Sequence, residues 1–208
     1  MESDDMTLLE AWRGGDAASG RELVQRYFDA MYRFFANKLA GDVEDLIQET
    51  FTACVEGRDR FRKDASFRTY LYAIARNRLY RYWRDRKPER EAEESVQQMV
   101  ESGPSPADAL VARQEQRLLL RALRGLPLDL QVLLELAYFE SLTDREVAVI
   151  LEIPVGTLKS RLRRGRQLLQ QAIEAADDPA LVQTTTAGFD GWVASMRGRW
   201  QPSRSRVL

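Results

Sequence analysis

The chain contains no histidine and a single cysteine, Cys54. Without an imidazole base, Ser-His-Asp and Cys-His hydrolases are excluded. One thiol closes no intramolecular disulfide, and a Cys/His zinc site has no ligands to draw on. Cys54 sits in an apolar helical pattern with Phe51 and Val55 and reads as a small buried hydrophobe. Long apolar runs are also missing. Runs such as Leu118-Leu119-Leu120 fall far short of the ~20 residues that cross a bilayer, so no membrane insertion is expected. Met1-Glu2-Ser3-Asp4-Asp5 has neither a basic n-region nor an apolar h-region, so the sequence predicts no secretory signal and a cytoplasmic location. Nowhere does a strand-like alternation survive with turn residues at both ends.

What is present is ample apolar material and many charges. The 208 residues are 44% hydrophobic and 30% charged, enough for one large or two small domains. The overall charge of −1 conceals strong patterning. Residues 1–56 carry net −7, 57–90 net +8, 91–153 net −7 and 154–171 net +5, while 172–208 sum to zero. Two basic blocks set in an acidic chain suggest two contact points for a polyanion.

Helical periodicity dominates the pattern. Leu8, Leu9 and Trp12 open a short helix. Leu23, Val24, Tyr27, Phe28, Met31, Phe34, Phe35 and Leu39 recur at spacings of three and four, predicting a long amphipathic helix that Gly41 stops. Asp42 caps the next helix, which carries Val43, Leu46, Ile47, Phe51, Ala53 and Val55. After a charged loop from Gly57 to about Ala65, Ser66 reads as the N-cap of a helix from Phe67 to about Arg86. Residues 87–108, with Ser102-Gly103-Pro104-Ser105-Pro106, read as a flexible linker. Further helices are predicted at 109–124, 127–139, 143–150 and 154–175, with Pro127 at a first helical position. The fold class expected is therefore all-α, two small helical domains joined by a linker.

Within the second domain, Thr143-Asp144-Arg145-Glu146 is a capping box, and Val147, Ala148, Ile150 and Leu151 form an apolar face. Glu152-Ile153 makes a short turn, and Pro154 suits the first turn of the next helix. Val155, Leu158 and Leu162 are expected to face inward, leaving Thr157, Lys159, Ser160, Arg163 and Arg164 outside. This is the layout of a helix-turn-helix whose second helix enters the major groove. In the first domain, Phe67, Leu71, Ile74, Ala75 and Tyr82 share one helix face. Tyr72, Arg76, Tyr80 and Trp83 fall on the other, flanked by Asn77 and Arg84. An exposed row of rings and arginines suits stacked bases and their phosphates. The alternative is that Tyr72 and Trp83 pack on a neighbouring helix. Asp45, Gln48 and Glu49 cluster on one helix flank, either to anchor a protein partner or simply to face solvent.

The chain resembles the extracytoplasmic-function (ECF) sigma factors of the sigma-70 family. The segments Glu44-Asp45-Leu46-Ile47-Gln48-Glu49-Thr50-Phe51 and Phe67-Arg68-Thr69-Tyr70-Leu71-Tyr72-Ala73-Ile74-Ala75-Arg76-Asn77 resemble sigma region two. Leu126-Pro127, Tyr138-Phe139, Glu146-Val147-Ala148 and Pro154 through Arg166 resemble region four. The resemblance implies a DNA-binding initiation subunit, not an enzyme, with no cofactor and no metal. Its implied partners are bacterial core RNA polymerase and promoter DNA, both duplex and melted single strand, with an anti-sigma factor as a further one. By the same resemblance Asp45, Gln48 and Glu49 bind polymerase. Arg68, Tyr72, Arg76, Asn77, Tyr80, Trp83 and Arg84, with the loop 57–66, meet the minus-ten element. Thr157, Lys159, Ser160, Arg161, Arg163 and Arg164 meet the minus-thirty-five element.

The domains expected are 1–86, region-two-like; 87–108, linker; 109–176, region-four-like; and 177–208, an extension read as regulatory. That extension carries Phe189, Trp192 and Trp200 with a basic end. Four positions depart from the family pattern: Tyr70 for Trp, Arg81 for Asp, Glu152 for a turn Gly, and Gly165 for Ala. If position 152 needs a positive φ, Glu there costs roughly 1 kcal/mol. A stand-alone helix-turn-helix regulator, binding DNA as a dimer, is the rival reading. A carboxylate-dependent metal enzyme is weaker, because the acidic residues spread along helix faces.

Overall fold

A computed structural model describes residues 4–39, 41–57, 65–85, 117–140 and 142–175. The described residues hold helices and turns and no strand. Four helices come first: α1 (Asp5–Arg13), α2 (Ala17–Ala36), α3 (Val43–Gly57) and α4 (Phe67–Asp85). A helical segment at 117–124 (α5) precedes α6 (Leu128–Tyr138), α7 (Asp144–Leu151) and α8 (Val155–Glu174). The chain forms two compact units, the first containing α1–α4 together with residues 148–152 of α7 and its turn, the second α5, α6, the start of α7 and α8. The expectation of an all-α chain with two helical domains holds.

In the first unit α1 packs on α2, α2 on α3, and α3 on α4. Asp16 starts α2: its carboxylate accepts from Ala18 N–H at 2.9 Å and Ser19 Oγ–H at 2.6 Å. These bonds favour the charged form and hold its pKa below the ordinary value. The stripe Leu23, Tyr27, Met31, Phe34 and Phe35 then goes inward. The helix ends at Ala36, with Asn37 at its C-cap, earlier than the apolar spacing suggested. Lys38 closes the end by donating from Nζ to the Phe34 carbonyl at 2.6 Å. Leu39 is still buried, outside the helix.

Where α1 meets α2, Gly20 lies directly against the Trp12 ring. A Cβ on Gly20 would stand 2.6 Å from Trp12 Cε2, so no other residue lets the helices come this close. Asp5 fixes the far end of α1, accepting from the Tyr27 hydroxyl and from Arg26 Nη1. Asp42 adopts a left-handed φ of 56° at the start of α3. Its carbonyl accepts from Leu46 N–H at 3.1 Å, and its carboxylate accepts from the Tyr82 hydroxyl at 3.1 Å, tying this start to α4. Ser66 caps α4 as expected, accepting from Thr69 N–H at 3.1 Å. Cys54 is fully buried, and burial pushes its thiol up to about 12.

In the second unit α6 is apolar nearly all round, burying Leu130, Val132, Leu133, Leu134 and Leu136. It packs on α8, where Gly165 receives Leu134: a Cβ on Gly165 would meet Leu134 Cδ2 at 3.3 Å. Pro127 and Pro154 stand at the N-caps of α6 and α8, just outside the helices, rather than at the first helical positions expected. The capping box of α7 is complete. Thr143 N–H donates to Glu146 Oε2 at 2.9 Å, and Glu146 N–H donates to Thr143 Oγ1 at 3.3 Å. Glu152 in the turn has φ 56°, so the turn keeps the left-handed residue although glycine is missing. An L side chain in that conformation costs roughly 1 kcal/mol.

Candidate nucleic-acid interface

The inward stripe of α3 is Leu46, Ile47, Thr50, Phe51 and Cys54. That spacing turns Asp45, Gln48 and Glu49 outward, and all three are exposed. Glu49 reaches across to α4, where Arg78 Nη1 stands 3.6 Å from its Oε2. Sequence reasoning counted Arg78 in a basic block but did not single it out. Its spacing to the buried residues of α4 places it on the flank that faces α3.

The α4 helix corrects part of the sequence reading. Its buried residues include Phe67, Leu71, Tyr72, Ala75 and Leu79, whereas Ile74 and Tyr82 are only half-buried. Tyr72 is fully buried and stands edge-on to Phe34 of α2, with ring centroids 5.6 Å apart. It therefore leaves the exposed row and belongs to the core. The buried arc is rotated toward Tyr72 because Phe34 lies on that side. Arg68 lies over the Tyr72 ring at 5.8 Å.

Of the remaining residues Arg76 also leaves the exposed row: it is 7% exposed, donates from Nη1 to the Ile150 carbonyl at 2.5 Å and pairs through Nη2 with Glu152 Oε1 at 2.7 Å. Arg76 lies over the Tyr80 ring at 5.8 Å and donates to Asn77 Oδ1 from Nη2 at 2.6 Å and Nε at 3.1 Å. Arg76, Tyr80 and Arg84 follow one another at four-residue steps, with Asn77 alongside. Trp83 is 37% exposed and stands edge-on to Tyr82 at 6.2 Å. Arg84 is exposed and pairs with Asp85 at 3.3 Å, and Arg81 reaches the same carboxylate at 3.4 Å. Such exposed pairs contribute about 0–1 kcal/mol, so little holds either guanidinium back from a phosphate. Loop residues 58–64 lie outside the described residues.

On α8, Leu158, Gly165, Leu169 and Ile173 are buried and Leu162 is half-buried. Lys159, Ser160, Arg161, Arg163 and Arg164 are exposed together, and Thr157 is half-buried. Ser160 Oγ donates to the Thr157 carbonyl at 2.9 Å. Gly165, which departs from the family's Ala, gives α6 its close approach. Val155, expected inward, is 38% exposed because it is the first residue of α8.

Residues 21–89 match the family described as sigma-70 region 2, and residues 116–169 match sigma-70, region 4. The ECF RNA polymerase sigma-E factor of Salmonella typhimurium is 29% identical over 180 residues, covering 82% of this chain and 94% of that protein. The chain belongs to the ECF sigma factors of the sigma-70 family.

As an ECF sigma factor it is a DNA-binding transcription protein, not an enzyme. The sigma-E factor of Haemophilus influenzae is likewise 29% identical, over 188 residues, covering 82% of this chain and 95% of that one. A solved structure of the sigma factor RpoE in complex with the anti-sigma factor NepR, from Bartonella quintana, aligns with TM-score 0.58 and 25% identity. It covers 76% of this chain and 98% of that chain. A structure of CnrH in complex with the cytosolic domain of CnrY shares the fold, with TM-score 0.62 at 21% identity over 85% and 100% of the two chains. Helix α1 and the first turn of α2 precede the region 2 match. The expected linker 87–108 and extension 177–208 lie outside the described residues. No described helix is long and apolar enough to cross a membrane.

Proposed function

We propose that this sigma factor docks on bacterial core RNA polymerase and directs initiation at promoters with two recognised elements. Asp45, Gln48 and Glu49 on the acidic flank of α3 form the polymerase contact. Arg68, Asn77, Tyr80, Trp83 and Arg84, with the loop 57–66, capture bases of a melted minus-ten element, while the buried Arg76 positions Tyr80 and Asn77. Rings stack on the bases while the guanidinium groups take phosphates. Thr157, Lys159, Ser160, Arg161, Arg163 and Arg164 read a minus-thirty-five element in duplex DNA. Residues 1–86 and 109–176 act as the two reading domains, and 87–108 tethers them. Two weak contacts on one tether gain by effective concentration. The cytoplasm is the proposed setting. Residues 177–208 act as a regulatory extension. An anti-sigma factor is proposed as a further partner, because the RpoE relative of solved structure is described in complex with one.

The observation that carries this reading is on α8. Five polar or cationic side chains, Lys159 to Arg164 without Leu162, are exposed on a helix whose inner face is buried against α6. The test is run-off transcription with sigma-free core polymerase from a promoter library. Specific transcripts are expected, lost when Asp45, Gln48 and Glu49 become alanine and changed when residues 180–208 are removed. A discrete palindromic footprint by the protein alone, with no transcripts, refutes it in favour of the dimeric regulator.

A further inference from the structure

We propose that Val155 is a specificity-determining residue that reads the 5-methyl group of a thymine in the upstream duplex element. The inference rests on the reading of α8 as the recognition helix. Four observations carry it. Val155 is the first residue of α8 and one of the few large apolar side chains that the described residues expose. It heads the four-residue row Val155, Lys159, Arg163, so it continues the cationic surface toward the end of the helix that leads into a groove. Its neighbours Pro154 and Gly156 are exposed, and nothing lies within 4 Å of where a Gly156 side chain would begin, so this end is open to an approaching duplex. No acidic residue stands in the first turn to repel phosphates.

Chemistry then selects the partner. Valine has no donor or acceptor, and the major groove offers one prominent apolar group, the thymine methyl. Against a purine edge the same side chain would strip water from N7 and O6 or N6 and return no hydrogen bond. Val155 is also well placed in energy terms. Its β-branched side chain has restricted χ1 freedom, so little rotamer entropy is lost on meeting a base. Leu158, fully buried one turn later, anchors that turn.

The test uses the full chain assembled with core polymerase and a promoter recovered from the run-off experiment. Each thymine of the upstream element is replaced in turn by deoxyuridine, which lacks only the methyl group. At one position the affinity of the wild-type holoenzyme is expected to fall roughly fourfold, the effect of burying one methyl-sized group. Val155→Ser is expected to bind the thymine duplex at that lower level and to ignore the replacement. Indifference of the wild type to every replacement overturns the proposal and leaves the recognition helix standing. So does a Val155→Ser holoenzyme that keeps the full deoxyuridine penalty. Absence of any upstream protection by the wild type overturns both readings.

Discussion

Replacing Tyr72 with alanine separates two roles for the rings of α4. The side chain is fully buried and meets Phe34 edge-on at 5.6 Å. Truncating a buried aromatic costs about 3–5 kcal/mol, because transfer energy is lost and a cavity remains. The edge-on pair adds about 0.5–1.5 kcal/mol beyond burial. Against a total stability of about 5–15 kcal/mol, the loss is roughly a quarter or more. For a unit of this size each kcal/mol shifts Tm by about 4–8 °C, so the transition is expected at least ~12 °C lower. Urea titration of the full chain, followed by near-ultraviolet circular dichroism, reads the change, since Tyr72 and Phe34 both report there. Loss of transcription should track the loss of folded protein and recover on cooling. A variant that keeps its unfolding midpoint, within about 0.5 kcal/mol, yet fails to open promoters would refute the core assignment. Tyr72 would then return to the DNA-facing row.

Other perturbations test the same geometry. Tyr80→Ala and Trp83→Ala are expected to leave stability within about 0.5 kcal/mol. Each should weaken promoter opening, read by permanganate reactivity, by about 5- to 150-fold, the range of one lost base stack. Gly20→Ala forces the Trp12 ring away and is expected to destabilise by about 1–2 kcal/mol, overpacking outweighing the helix preference of alanine; a higher urea midpoint would refute it. The Cys54 thiol, pushed up to about 12 by burial, is expected to resist Ellman's reagent at pH 8 until the chain unfolds. Between its ordinary value of 9.0 and about 12 only the unfolded chain loses that proton, so its contribution falls as pH rises through this window. Cys54→Ala should flatten that part of the stability profile.

Much of this was legible in the residues. The Thr143–Glu146 box and the Ser66 cap were visible because they are local, each made within one turn of chain. Lys159, Ser160 and Arg163 were visible because Leu158 and the residues a turn apart fix which side is inward. What escaped depends on the neighbour rather than the helix itself. An ideal wheel centred the inner face of α4 on Phe67, Leu71 and Ile74. The position of Phe34 rotates it so that Tyr72 is fully covered and Ile74 only in part. Gly165 stood out as a departure from the family pattern and Gly20 was not singled out, yet each marks a crossing. A glycine in mid-helix signals close packing, although the sequence does not say which side chain fills the space. Val155 matched the inward spacing, but the first residue of a helix has no preceding turn to cover it.

The seat of Leu134 on Gly165 also sets a rule for the recognition helix as an exchangeable part. One residue inserted or deleted between the turn and Gly165 would rotate the helix by about 100° and bring a side chain onto Leu134. The crossing thus acts as an index mark. Residues 155–164 can be swapped for those of another sigma factor as a block of fixed length, and the new side chains will face outward in the same order. Exposed positions inside the block can change without disturbing the crossing, whereas a change of its length would, so promoter preference in this fold is open to change by replacement rather than by insertion.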